Sequence, residues 1–111
     1  QKVRSETMKV VFHIDETAKW LETKQNVKNL LKAVPKTEII VTVNGHGITG
    51  YLDNQNADFL ALPDVTFHAC ANALRANEIS EKALPEQVVI VPAGVLDLIE
   101  LQEKGFAYIK P

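Results

Sequence analysis

The chain is expected to fold as an α/β domain, a three-layer α/β/α arrangement around a mostly parallel five-stranded sheet. Three observations carry that expectation. Short apolar runs rich in β-branched residues recur at 8–14, 38–43, 65–70, 88–91 and 106–109. Helical spacing or helix stop signals fill the gaps between them, so strands and helices alternate. The 111 residues, 46% of them hydrophobic, are enough for one domain with its own core.

The first run, Met8 to Ile14, lacks polar alternation in its early part, as a strand covered on both faces does. Asp15-Glu16-Thr17 can cap a helix. Val27, Leu30, Leu31 and Val34 recur at i, i+3, i+4 and i+7, which predicts a helix over about 17–33, stopped by Pro35. Lys19, Lys24, Lys28 and Lys32 occupy its other faces and read as a solvated surface. Glu38 to Val43 is the second strand, and a short helix is expected over 57–62. Pro63-Asp64 turns the chain into a third strand, Val65 to Cys70, which runs straight into a helix expected to stop near Ile79-Ser80. Glu81 to Gln87 is a polar connector. Val88 to Val91 is the fourth strand and Pro92-Ala93-Gly94 a turn. A last helix with Val95, Leu98 and Ile99 on its apolar face ends at Lys104-Gly105, before a final strand, Phe106 to Ile109. Right-handed crossovers should join the strands. Their order in the sheet does not follow from the sequence.

Composition narrows the function classes. A formal net charge of −2 argues against nucleic-acid binding through a basic surface. The single cysteine rules out an internal disulfide framework and fits a reducing compartment, so a cytoplasmic location is expected. No apolar run approaches the ~20 residues that span a bilayer, so no membrane partner is expected. Residues 1–7 are polar and read as an N-terminal extension to a single domain over 8–111.

Candidate chemistry collects where open α/β sheets bind ligands, at the carboxyl ends of the strands. His13 and Asp15, Asn44 to Gly47, Cys70, and Pro92 to Gly94 all meet that rule. Cys70 stands at a strand–helix junction. The positive end of a helix and its free N–H groups favour thiolate there, which makes Cys70 the candidate reactive thiol. A buried, inert thiol is the alternative. Val65, Phe67 and Ala69 alternate with Thr66, His68 and Cys70, so His68 should share a strand face with Cys70. There it can stabilise the thiolate or simply be a hydrogen-bonded sheet residue. His46 in its glycine turn can reach the site or lie on the surface. Asn72 can donate to a bound anion or sulfur, or bond locally. Arg75 can add positive potential or serve an oligomer contact. His13 reads as structural.

The stretch Asn44-Gly45-His46-Gly47-Ile48-Thr49-Gly50 contains Gly-x-Gly-x-x-Gly after a strand. That pattern lets backbone N–H groups approach a phosphate. It follows the second strand rather than the first, however, and Asp53-Asn54-Gln55-Asn56 should break the helix that must follow. No acidic residue ends a strand ~20 residues on. The loop is therefore read as a tight turn beside the site, with Asn44, Gly45, Gly47 and Gly94 as candidate ligand-binding residues. Cys70, His13, His46 and His68 have zinc-ligand chemistry but none of the close pair spacings, so no metal is expected.

The run Phe67-His68-Ala69-Cys70-Ala71-Asn72-Ala73-Leu74-Arg75-Ala76 resembles the cysteine motif of the DsrE/DsrF-like sulfur-relay family. Val10-Val11-Phe12-His13-Ile14-Asp15 resembles that family's first strand. Gly94-Val95, then Gln102-x-x-Gly105-Phe106-Ala107-Tyr108-Ile109-Lys110-Pro111, resembles its last helix and strand. The resemblance covers nearly the whole chain from Met8. It implies a DsrEFH-like fold, a sulfur carrier with persulfide on Cys70, and no organic cofactor. It also implies sulfur donor and acceptor proteins as partners, and homo-oligomers, commonly trimers or hexamers, with sites near subunit interfaces. Trp20, Tyr51 and Leu52 are candidates for interface contact or for the core. With no second cysteine, any acceptor thiol must lie on another molecule. The competing expectation is a non-catalytic oligomeric module of the same fold, binding a small ligand, nucleotide or anion at the glycine loop.

Overall fold

A computed structural model describes residues 7–111. Apart from Thr7, the expected N-terminal extension lies outside the described residues. Five parallel strands form one sheet in the order β4-β3-β2-β1-β5. They are β1 (Lys9–Ile14), β2 (Glu38–Val43), β3 (Val65–Cys70), β4 (Val89–Val91) and β5 (Ala107–Ile109). The helices are α1 (Trp20–Ala33), α2 (Ala57–Leu60), α3 (Ala71–Ala76) and α4 (Gly94–Glu103). Strand and helix alternation thus builds the expected α/β domain, with the sheet wholly parallel.

The strand order explains an asymmetry. From β1 to β4 the chain steps across the sheet in one direction, so right-handed crossovers put α1, α2 and α3 on the same face. Only the return from β4 to β5, on the far side of β1, uses the other face, and it carries α4. The first face packs Phe12, Ile14, Val41, Val43, Phe67 and Ala69 against Trp20, Val27 and Leu74. Four aromatic rings, Trp20, Tyr51, Phe59 and Phe67, meet edge to face there, with Phe59 and Phe67 centroids 4.9 Å apart. Such contacts add about 0.5–1.5 kcal/mol per pair beyond area burial. The second face holds a smaller cluster: Val11, Ile40, Leu98, Leu101 and Phe106.

Of the residues left open between interface and core, Trp20 and Tyr51 are core and Leu52 is exposed. Other expectations change. The helix after Cys70 ends at Ala76, before the expected stop near Ile79-Ser80. Glu78 takes a left-handed conformation (φ 57°), and the N–H groups of Ile79 and Glu78 donate to the carbonyls of Leu74 and Arg75. That is a Schellman stop with glutamate where glycine is usual. The same bonds end α4, where Phe106 and Gly105 donate to Leu101 and Gln102 and Gly105 supplies the positive φ. The Gly45–Leu52 stretch forms two and more turns of 3-10 helix rather than an open turn.

Candidate functional site

β3 passes into α3 with no intervening loop, so Cys70 is both the last strand residue and the helix N-cap. Its Sγ accepts the N–H of Ala73 at 3.4 Å. The sulfur takes the place of a capping oxygen and sits at the positive end of a six-residue helix. Cys70 is 4% exposed and packs with the core cluster of the first face. The accessible sulfur that carrier chemistry needs is therefore covered in the single chain.

The other candidate residues fall into separate places. His46 makes no hydrogen bond to Cys70. Its Nδ1–H donates to Asn77 Oδ1 at 3.0 Å, at the far end of α3. Asn77 in turn donates to the carbonyls of Ala73 at 2.8 Å and Gly45 at 3.4 Å, tying the start of the glycine loop to α3. Asn72 and Arg75 bond each other on the exposed side of that helix. In the glycine loop, packing accounts for the residue choice. The indole N–H of Trp20 donates to Gly47 O at 2.8 Å, and a Cβ on Gly50 would collide with the same ring. Gly45 has a φ of 55°, where side chains are strained. Asn44 and Gly94 do come together: a Cβ on Gly94 would lie 2.8 Å from that of Asn44.

His68 turns to the second face and meets a residue absent from the sequence-level candidates. Its Nδ1 lies 2.8 Å from Asp97 Oδ2, and Thr42 Oγ1 donates to the same oxygen at 2.7 Å. Among the described residues Asp97 is the one charged side chain in the buried set. Burial pushes its carboxyl upward, but hydrogen bonds from His68 and Thr42, with the charges of His68 and Lys104, bring it below the usual carboxylate range. A signal was present in the sequence. Asp97 precedes Leu101 by four residues, which puts a carboxylate on the buried stripe of α4.

The strand register extends this cluster into a row. His13, Thr42 and His68 are successive cross-strand neighbours on β1, β2 and β3. His13 is fixed at both nitrogens, with Asn44 Oδ1 2.8 Å from Nε2 and Tyr108 Oη 2.6 Å from Nδ1. A neutral ring fits if Nε2–H donates to Asn44 and Tyr108 donates to Nδ1. Lys110 pairs with Asp15 at 3.0 Å beyond it, and that carboxylate raises the pKa of Lys110. Tyr51 Oη donates to the carbonyl of His68 at 2.7 Å, and burial, with Asp97 nearby, pushes the phenol well above its ordinary pKa. The three histidines and Cys70 therefore have four different partner sets. Among the described residues no group of three or more His, Cys, Asp or Glu side chains gathers to hold a metal. No described helix is long and apolar enough to cross a membrane.

No family model matches the chain, and no curated protein does. Solved structures do. YchN from E. coli superposes with a TM-score of 0.74 over 94% of this chain and 100% of that one. At 12% identity this likeness shows the fold alone. MTH1491 from Methanobacterium thermoautotrophicum, described as a protein of unknown function, superposes with a TM-score of 0.85. It is 32% identical over 94% of this chain and 99% of its own. The chain thus belongs to the family of MTH1491.

Proposed function

We propose that the protein is a small persulfide carrier of the DsrE/DsrF-like kind, working at Cys70 in a reducing, cytoplasmic compartment. The observation that carries this reading is the sulfur cap: Cys70 Sγ already accepts a helix N–H, from Ala73. An anionic sulfur strengthens such a bond, so the N–H is placed to support the leaving thiolate during transfer. The thiolate attacks the outer sulfur of a donor persulfide, R–S–SH. A new S–S bond forms at Cys70 as the donor's S–S bond breaks, and the donor leaves as thiolate. Sulfur moves at constant oxidation state, and no organic cofactor is called for. Loading requires local opening around the covered sulfur, which donor docking would supply. Val95, Leu96 and Ile99 leave the outer side of α4 apolar and exposed, which supports association of identical subunits.

The burial of Cys70 favours a second reading, a non-catalytic module that binds a small ligand or anion beside Asn44 and Gly94. Intact mass measurement after incubation with a persulfide donor separates the two. A gain of about 32 Da that Cys70→Ser abolishes supports the carrier. No gain, together with a thiol silent to alkylation in the folded state, supports the binding module.

A further inference from the structure

Asp97 is difficult to explain as packing alone. Taking a carboxylate out of water is costly before its partners offset it, and α4 already has Leu98 and Leu101 to hold it on the sheet. The carboxylate does one specific thing. It takes the Nδ1 side of His68, and Thr42 from the neighbouring strand holds the same Oδ2 in place. The proton of a neutral imidazole is thereby kept on Nδ1, and the lone pair is left on Nε2. Among the described residues none bonds Nε2, and the His68 side chain keeps 13% of its surface exposed. A carboxylate-held histidine with its other nitrogen open is an arrangement for accepting a proton. His68 precedes Cys70 by two residues on β3. Strand geometry sets their Cα atoms about 6–7 Å apart, with His68 on the second face and the Cys70 sulfur bent toward the Ala73 N–H of α3.

We propose that His68 is the general base for sulfur transfer out of Cys70, with Asp97 as its positioning residue. The proposal rests on the carrier reading and adds the acceptor's chemistry: a protonated thiol on another molecule. That thiol, R′–SH, gives its proton to His68 Nε2 and attacks the outer sulfur of the Cys70 persulfide. The R′S–S bond forms as the bond between the two sulfurs on Cys70 breaks. Cys70 leaves as thiolate, beside the Ala73 N–H, and R′–S–SH departs. The imidazolium, paired with Asp97, returns its proton to solvent. The other titratable groups bearing on the couple are Lys104 on α4, Tyr51 in the 3-10 segment, and His13 two strands away in the same row.

The test loads the intact protein with sulfur, confirms loading by mass, and follows transfer to 2-mercaptoethanol across pH. At about pH 7, where this thiol is protonated, His68→Gln should slow transfer about 100-fold, a typical general-base contribution. At about pH 10, where the thiol ionises unaided, the deficit should shrink to about threefold or less. Asp97→Asn should slow transfer at the lower pH and move the nitrogen-15 shifts of the His68 ring toward a mixture of tautomers. His68→Gln is near in size and keeps a donor for Asp97, so it stands in if the Asp97 variant fails to fold. Loaded His68→Gln that matches the parent profile, or a deficit equal at both pH values, overturns the assignment of His68 while leaving the carrier reading intact. Parent protein that takes up no sulfur overturns both.

Discussion

The two faces of the sheet are built on different principles. The α1–α3 face is closed by rings and aliphatic side chains, with Phe59, Phe67, Val27 and Val41 at 0–1% exposure. The α4 face has one helix, five buried apolar residues, and a polar row beside them: His13, Thr42 and His68, with Asp97 laid over it. Chain topology makes that difference, because three crossovers share one face and a single return crossover has the other. The lesson is a division of labour. The thick face supplies stability, and the thin face can hold ionisable groups near water. Cys70 sits at the border, with its strand shared with His68 and its sulfur turned toward α3.

The comparison can be broken most severely on the thick face. Phe67→Ala removes a ring packed against Phe59 and Tyr51 and should cost about 3–5 kcal/mol in denaturant unfolding. On the thin face, Leu98→Ala should cost less, about 2–3 kcal/mol, because the site lies nearer solvent and can relax. Amide exchange should then quicken in α4 ahead of the strands; equal acceleration everywhere would deny the thin face its separate character.

Acid sharpens the contrast. The folded-state pKa of Asp97 is lowered, so its contribution is complete above the ordinary carboxylate range and is lost as pH falls through the folded value. Stability measured between about pH 5 and 2 should fall, and Asp97→Asn should flatten part of that fall, on the order of 1–2 kcal/mol for bonds to a charged group. The smallest effect compares the two Schellman stops. Glu78→Gly should stabilise the protein by about 1 kcal/mol by relieving a left-handed non-glycine residue, whereas Gly105→Ala should destabilise it by a similar amount. Thermal melts of both variants check the pair.

Much of the fold was legible because it is local. Val10–Val11–Phe12 and Ile39–Ile40–Val41 announce buried strands by side-chain type, while Val89–Ile90–Val91 announces a strand whose edge position leaves Val89 exposed. Pro35 and Gly105 mark helix ends by what their backbones permit. The early stop of α3 was missed because glutamate does not advertise a left-handed conformation; its two capping bonds and the packing of Ile79 on the core impose it. The glycine loop was read as a tight turn, but it forms a 3-10 segment whose tie to Trp20 comes from a residue more than two dozen positions away.

The site divides in the same way. By itself, the sequence determined the strand–helix junction at Cys70, the collection of histidines at strand ends, and the absence of a second thiol. Those follow from side-chain type and short-range geometry. The burial of the sulfur, the strand order β4-β3-β2-β1-β5, and the meeting of Thr42, His68 and Asp97 were decided by tertiary structure alone. They depend on which faces meet. A carboxylate on α4 becomes a histidine's partner only when the return crossover lays its helix over two strands that are neighbours in space, and no periodicity along the chain encodes that distance.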